Sequence, residues 1–116
     1  MALPEEIDKT LSWVQDEIGS DVPLNSRVVL LHCASAYPTP IEEINLLSIP
    51  YLAERYPVYV GFSDHTIGLD AARASVALGA TVIEKHFTDN KEDRDFRDHE
   101  LSADPDDLKT LVDDVA

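Results

Sequence analysis

The sequence predicts an α/β fold: three parallel βα units preceded by a helix, in the order αβαβαβα. Three observations predict it. From Val58 to Thr88 the chain reads VYVGFSDHTIGLDAARASVALGATVIEKHFT, two short apolar runs separated by an alanine- and leucine-rich stretch, Leu69 to Gly79. Two strands joined by a helix lie parallel. A third run, Arg27 to Ser35, carries Val28, Val29, Leu30 and Leu31 almost unbroken, the mark of a strand buried on both faces. Apolar residues also recur at helical spacing before, between and after these runs.

The first helix spans Pro4 to Ile18. Pro4 suits a first turn, and Glu5 and Glu6 suit the positive end of the dipole. Ile7, Leu11, Val14 and Ile18 share a face with Trp13 beside it, and Gly19 is the C-cap. In the strand that follows, alternation puts Leu31, Cys33, Ser35 and Tyr37 on one face and Leu30, His32 and Ala34 on the other. Tyr37-Pro38-Thr39-Pro40 is a stiff loop, because two prolines fix φ. A helix over Ile41 to Arg55 presents Ile44, Leu47, Tyr51 and Leu52, with Pro50 as a kink. Strands near 58–63 and 81–85 flank the third helix, joined by right-handed crossovers. Asp89 to His99 is too charged for core and reads as a loop over the strand ends, where Arg94 and Arg97 are the best-placed cations. Ser102 to Val115 closes the chain as a helix, with Ser102 or Asp104 as N-cap and Pro105 at N1.

Alternation also groups the polar residues at the strand ends. Gly61, Ser63 and His65 share one face; Val82, Glu84 and His86 share one face of the next strand. With these faces on the same side, His65 and His86 stand together at the carboxyl ends of neighbouring strands, where α/β folds place their chemistry. Two histidines near a carboxylate suit a divalent cation. The same pattern also fits histidines that merely cap strands or satisfy a hydrogen bond. Lys85 alternates away from His86, toward the helix layer.

The 116 residues suffice for a single domain with a modest core, and 44% apolar content is ordinary. A net charge of −14, from 23 acidic and 9 basic residues, argues against nucleic acid or an anionic membrane as partner. It fits either a high-salt surface or ordinary solubility. No apolar run is long enough to span a membrane. The start lacks the features of a signal peptide, and the lone Cys33 fits a reducing cytoplasm. P-loop, GxGxxG and CxxC patterns are absent.

The segments LLHCASAYPTP (Leu30 to Pro40), VGFSDHTIGLDAARASVALGATVIEKHFT (Val60 to Thr88) and RDHELSADPDDLKTLV (Arg97 to Val112) closely resemble the sialic acid (N-acetylneuraminate) synthases, with their legionaminate, pseudaminate and spore-coat relatives. The resemblance implies a TIM barrel followed by a small antifreeze-like domain. It implies condensation of phosphoenolpyruvate with an N-acetylated amino sugar such as N-acetylmannosamine, with release of phosphate, assisted by Mn2+ or Mg2+. By resemblance, His65 and His86 match the metal ligands, Ser63 a phosphoenolpyruvate contact, and Glu84 an acidic residue of the same pocket. Ser63 and Glu84 are thus the candidate catalytic residues. Ser35 matches a position near the phosphate, Tyr37 a tyrosine lining the amino-sugar site, and Asp98 an aspartate on sugar hydroxyls. In this last stretch many members have Pro-Gly-Pro-Asp-His, whereas this chain has Asp95-Phe96-Arg97-Asp98-His99.

A barrel needs roughly 200 residues or more, so residues 1–116 are expected to form the last three βα units only, without the phosphate lysines of the first five strands. Unpaired outer strands then imply the remainder of the barrel, or other copies of the chain, as partner. A non-catalytic remnant acting as an oligomerising or metal-binding module is the alternative, and an unrelated flavodoxin-like domain a third.

Overall fold

The computed structural model describes residues 2–92, 94 and 98–116. Its order is α1 (Pro4–Ile18), β1 (Val29–Cys33), α2 (Ser48–Arg55), β2 (Tyr59–Asp64), α3 (Asp70–Ala77), β3 (Ile83–Lys85) and α4 (Pro105–Val115), the expected αβαβαβα. The strands form one parallel sheet in chain order, β1-β2-β3. A flavodoxin-like sheet begun with these strands would have the first in the centre. Here the second is central, which removes that reading.

The register builds layers. Leu30 pairs with Val60, and His32 with Phe62 and Ile83; Leu31 pairs with Gly61, and Cys33 with Ser63 and Glu84. The first set faces the helices. Val60 and Phe62 are buried with Ile49 of α2, Ala71 of α3 and Ala80. His32 is buried there too, stacked on Phe62 at 5.9 Å, with its Nε2 donating to the carbonyl of Ile44 at 2.6 Å. Small residues on α3, Ala71, Ala72 and Ser75, let it lie close to the sheet. Leu11, Tyr56 and Val58 form a second cluster under α1, and Leu69, Ala72 and Leu111 a third under α4. Arg55 ties α2 to Asp8 of α1 at 3.0 Å.

The opposite face corrects an expectation. β1 is not buried on both sides: Val29 is 41% and Tyr59 of β2 53% exposed, and Leu31 and Val82 are exposed beside them. An unbroken apolar run specifies two faces that seek cover. In these 116 residues the helices cover only one.

The stretch expected as one helix over Ile41 to Arg55 is also broken. Ile41–Glu43 is a single 3-10 turn, Asn45 takes φ 46, and α2 begins only at Ser48. Asparagine tolerates the left-handed region that ends a helix. Pro50 falls in the first turn of α2, where a missing N–H costs nothing, so it starts a helix rather than kinking one. Leu47, expected on the apolar face, is 74% exposed, Tyr51 is exposed too, and Ile49 takes the buried place. Elsewhere the caps follow the sequence. Gly79 (φ 98) ends α3 with bonds from Gly79 N to Val76 O and Ala80 N to Ser75 O, both 2.9 Å, a Schellman closure. Asp104 caps α4 by accepting from Asp107 N at 2.9 Å, with Pro105 at N1.

Candidate active site

The helix-free face of the sheet carries the polar residues, and the register sets their depth. Cys33, Ser63 and Glu84 form one layer across the three strands. Ser63 is buried, and its hydroxyl donates to Glu84 Oε1 at 2.6 Å. One step further along, beyond the last ladder pair Asp64–Lys85, stand His65 and His86, their rings 5.2 Å apart edge to face. The predicted pairing at the carboxyl ends of adjacent strands is therefore present.

Each histidine is gripped by the loop from a neighbouring element. The carbonyl of His65 accepts from Thr39 N at 2.9 Å, and the carbonyl of His86 accepts from Ala103 N at 2.7 Å. Thr39 is buried, its hydroxyl donating to Ala36 O at 2.9 Å. That bond closes the proline loop and brings Tyr37 over the site, with ring centroids 4.2 Å from His65 and 5.9 Å from His86. His65 Nδ1 lies 3.0 Å from Ala34 O. A carbonyl only accepts, so Nδ1 carries the hydrogen and Nε2 is left with its lone pair. His86 Nδ1 stands 3.8 Å from Asp98 Oδ2, near enough for attraction and too far for a hydrogen bond.

Of the donors a borderline divalent cation takes, the structure brings together two imidazoles side by side and one carboxylate, Asp98, 3.8 Å from His86. Among the described residues no group of three or more histidine, cysteine or acidic side chains is placed to hold a metal ion. A cation held by the two histidines would take its remaining ligands from water or substrate oxygens.

Of the remaining predicted residues, Asp98 joins the site through His86. Ser35 is exposed and lines a different hollow of about 300 Å³ with Tyr51 and Leu52, at the open edge of β1. Arg94 pairs with Asp89 at 3.1 Å, while Arg97, like Asp95 and Phe96, lies outside the described residues.

Sequence reading missed two groups. Thr39 is one, and the TP pair around it offered no more than loop stiffness. The other is the buried ion pair between Lys85 Nζ and Asp64 Oδ2, 2.9 Å apart with side chains 6% and 0% exposed. Alternation does place both residues on the helix side, as expected for Lys85. An acid and a base one residue before each histidine was the available signal.

The matches to known proteins agree with this architecture. An uncharacterised protein of Methanocaldococcus jannaschii is 51% identical over 88 residues, covering 76% of this chain and 26% of its own length. A pseudaminic acid synthase of Campylobacter jejuni is 42% identical over 115 residues, 99% of this chain and 32% of that protein. The crystal structure of an N-acetylneuraminic acid synthetase from Leptospira borgpetersenii, in complex with citrate, superimposes with a TM-score of 0.87 at 33% identity, over 99% of this chain and 38% of that one. The chain thus spans about a quarter to two fifths of the proteins it matches, and its fold is part of the TIM barrel of these synthases. The NeuB family model matches residues 1–116, and the chain belongs to the NeuB family.

Proposed function

We propose that this chain forms one wall of the barrel of a phosphoenolpyruvate-dependent sialic acid synthase, the wall that carries the metal ligands. The observation that supports it best is the convergence of His65, His86 and Tyr37 directly beyond the Ser63–Glu84 pair. Bound by His65 and His86, Mn2+ or Mg2+ would supply a Lewis acid for the aldehyde oxygen of an N-acetylated amino sugar. The chain's own groups do the rest of this wall's work. Ala34 and Tyr37 hold the His65 ring in one tautomer and orientation. Ser63 contacts phosphoenolpyruvate while its bond to Glu84 keeps that carboxylate aimed across the wall. Tyr37 packs against the sugar and Asp98 accepts from sugar hydroxyls, whereas Ser35, in its separate hollow, takes no part in this wall. The setting is cytoplasmic, in keeping with the free Cys33.

The bare face of Val29, Leu31, Tyr59 and Val82 supports a second part of the reading. It calls for the rest of a barrel, or for self-association, and the 116 residues alone do not complete a phosphate site. Taken alone they are inactive. The test is phosphate release from phosphoenolpyruvate dependent on N-acetylmannosamine or a related amino sugar, in the presence of Mn2+. None is expected from the purified chain. Release is expected once the complementary part of a family barrel is co-expressed, and His65→Ala should abolish it. Release by the chain alone overturns the inactivity. A well-folded but silent complex overturns the synthase reading in favour of a non-catalytic oligomerising or metal-binding module.

A further inference from the structure

We infer that the buried Asp64–Lys85 pair is a positioning device that sets the spacing of the two histidines; this rests on the reading of His65 and His86 as metal ligands. Each member immediately precedes one of them. Lys85 Nζ donates to Asp64 Oδ2 and to Thr66 O, both at 2.9 Å, and Asp64 Oδ1 accepts from Thr66 N at 2.8 Å. His65 is thereby bracketed: the residue before it and the residue after it are both tied to the side chain of Lys85, the residue that precedes His86.

The need for such a tie follows from the sheet. β3 is only three residues long and is an outer strand, and its register with β2 ends at Asp64–Lys85. Beyond that point no ladder bond holds the histidines at a fixed separation. On the opposite face Ser63–Glu84 links the preceding register position. The two links, on alternate faces at successive positions, prevent the end of β3 from sliding or twisting against β2.

Stability alone is a poor reason for the pair. A buried ion pair exchanged for apolar residues of similar volume often leaves a protein equally stable, because desolvation consumes the Coulomb gain. What an apolar pair lacks is direction. Three hydrogen bonds converging on residues 64–66 define where the His65 backbone sits relative to Lys85, whereas packing defines it loosely.

The test compares two double variants of the full chain with the native protein. Asp64→Leu/Lys85→Met removes the bonds and keeps the branching of the one side chain and nearly the length of the other. Asp64→Asn/Lys85→Gln keeps neutral hydrogen-bonding groups, the glutamine amide reaching one bond less far than the lysine. Mn2+ affinity is measured by calorimetry, and the proximity of the rings, without metal, by the nuclear Overhauser effect between the His65 and His86 ring protons. The Leu–Met chain is expected to unfold at a similar denaturant concentration, to lose the ring–ring effect, and to bind Mn2+ about tenfold more weakly, the usual scale for groups that orient a ligand. The Asn–Gln chain is expected to retain the effect and most of the affinity. A folded Leu–Met chain with native ring contact, or an Asn–Gln chain as impaired as Leu–Met, overturns the proposal. If the native chain shows no histidine-dependent Mn2+ binding, the metal reading fails, and the metal-free ring contact still decides the positioning role. If Leu–Met does not fold, hydrogen exchange in the native chain decides: the His65, Thr66 and His86 amides should open together, and independent opening overturns the tie.

Discussion

Ser63 and Glu84 occupy the same register position on β2 and β3, and the serine hydroxyl donates to the glutamate across 2.6 Å. Ser63 is buried and Glu84 is exposed. Removing the carboxylate therefore leaves a buried hydroxyl without its acceptor. Glu84→Ala is expected to destabilise the chain by about 1 kcal/mol, and the coupling between Ser63→Ala and Glu84→Ala in a double-mutant cycle should be of similar size. Urea denaturation measures both, and additive effects would show that the bond is absent in solution.

The 3.0 Å contact from His65 Nδ1 to Ala34 O fixes which nitrogen is free. Nitrogen NMR of the neutral ring should show the tautomer with its proton on Nδ1. Weak Mn2+ binding is expected, lost on His65→Ala or His86→Ala. An Nε2–H tautomer, or equal affinity in the variant lacking both histidines, counts against the metal role.

Most of this arrangement is legible in the sequence. Period-2 alternation in GFSDH and VIEKH suffices to place Ser63, His65, Glu84 and His86 on one face, and parallel pairing brings them together. The Asn45 break was not legible, because the apolar spacing from Ile41 to Leu52 fits a helix whether or not one residue turns left-handed. Nor was the grip of Thr39 and Ala103 on the two histidine carbonyls. Backbone bonds from loops leave no side-chain pattern to read. The bare face of β1 failed for a different reason: an apolar run states what a strand tolerates, and does not say which of its faces the neighbouring elements will cover.

Gly61 lies where β1, β2 and β3 crowd together. A Cβ there would stand 2.4 Å from the Val82 carbonyl and 2.7 Å from Leu31 Cδ2. The leucine can swing away, but the backbone cannot without moving β3. Gly61→Ala is expected to cost about 1–3 kcal/mol and to disturb the Ser63–Glu84 register. A native denaturation midpoint would show that β3 has room to shift.

The exposed face formed by Val29, Leu31, Tyr59 and Val82 is expected to drive self-association. Sedimentation velocity should show dimers or larger species that shift toward monomer on Leu31→Lys or Tyr59→Lys, with little change in the circular dichroism. A monomer at all concentrations would exclude this face as the contact.

Lys91 hydrogen-bonds to Asp107 at the start of α4, and this, aided by the backbone N–H of residue 104, holds the Asp107 carboxyl below its ordinary value near 3.8. A lowered folded-state value stabilises the fold at pH above the ordinary carboxylate range. That contribution fades as the pH falls through the depressed value. An NMR titration of Asp107 should find its midpoint below that of an unperturbed aspartate, and Lys91→Gln should move it back up. An unchanged midpoint in Lys91→Gln would assign the shift to the helix terminus instead.

Because the strands are neighbours in chain order, every pairing joins segments close along the chain: Val29 meets Tyr59 thirty positions on, and Phe62 meets Ile83 twenty-one positions on. Loop-closure entropy rises only slowly with length, so no pairing in this sheet has to wait for a distant part of the chain. Assembly can therefore proceed in the direction of synthesis, each strand docking on the one just completed. His65 and His86 would meet as soon as β3 leaves the ribosome, before α4 exists. In a pulse-labelled refolding experiment, amides of β2 and β3 should accordingly gain protection ahead of those in α4.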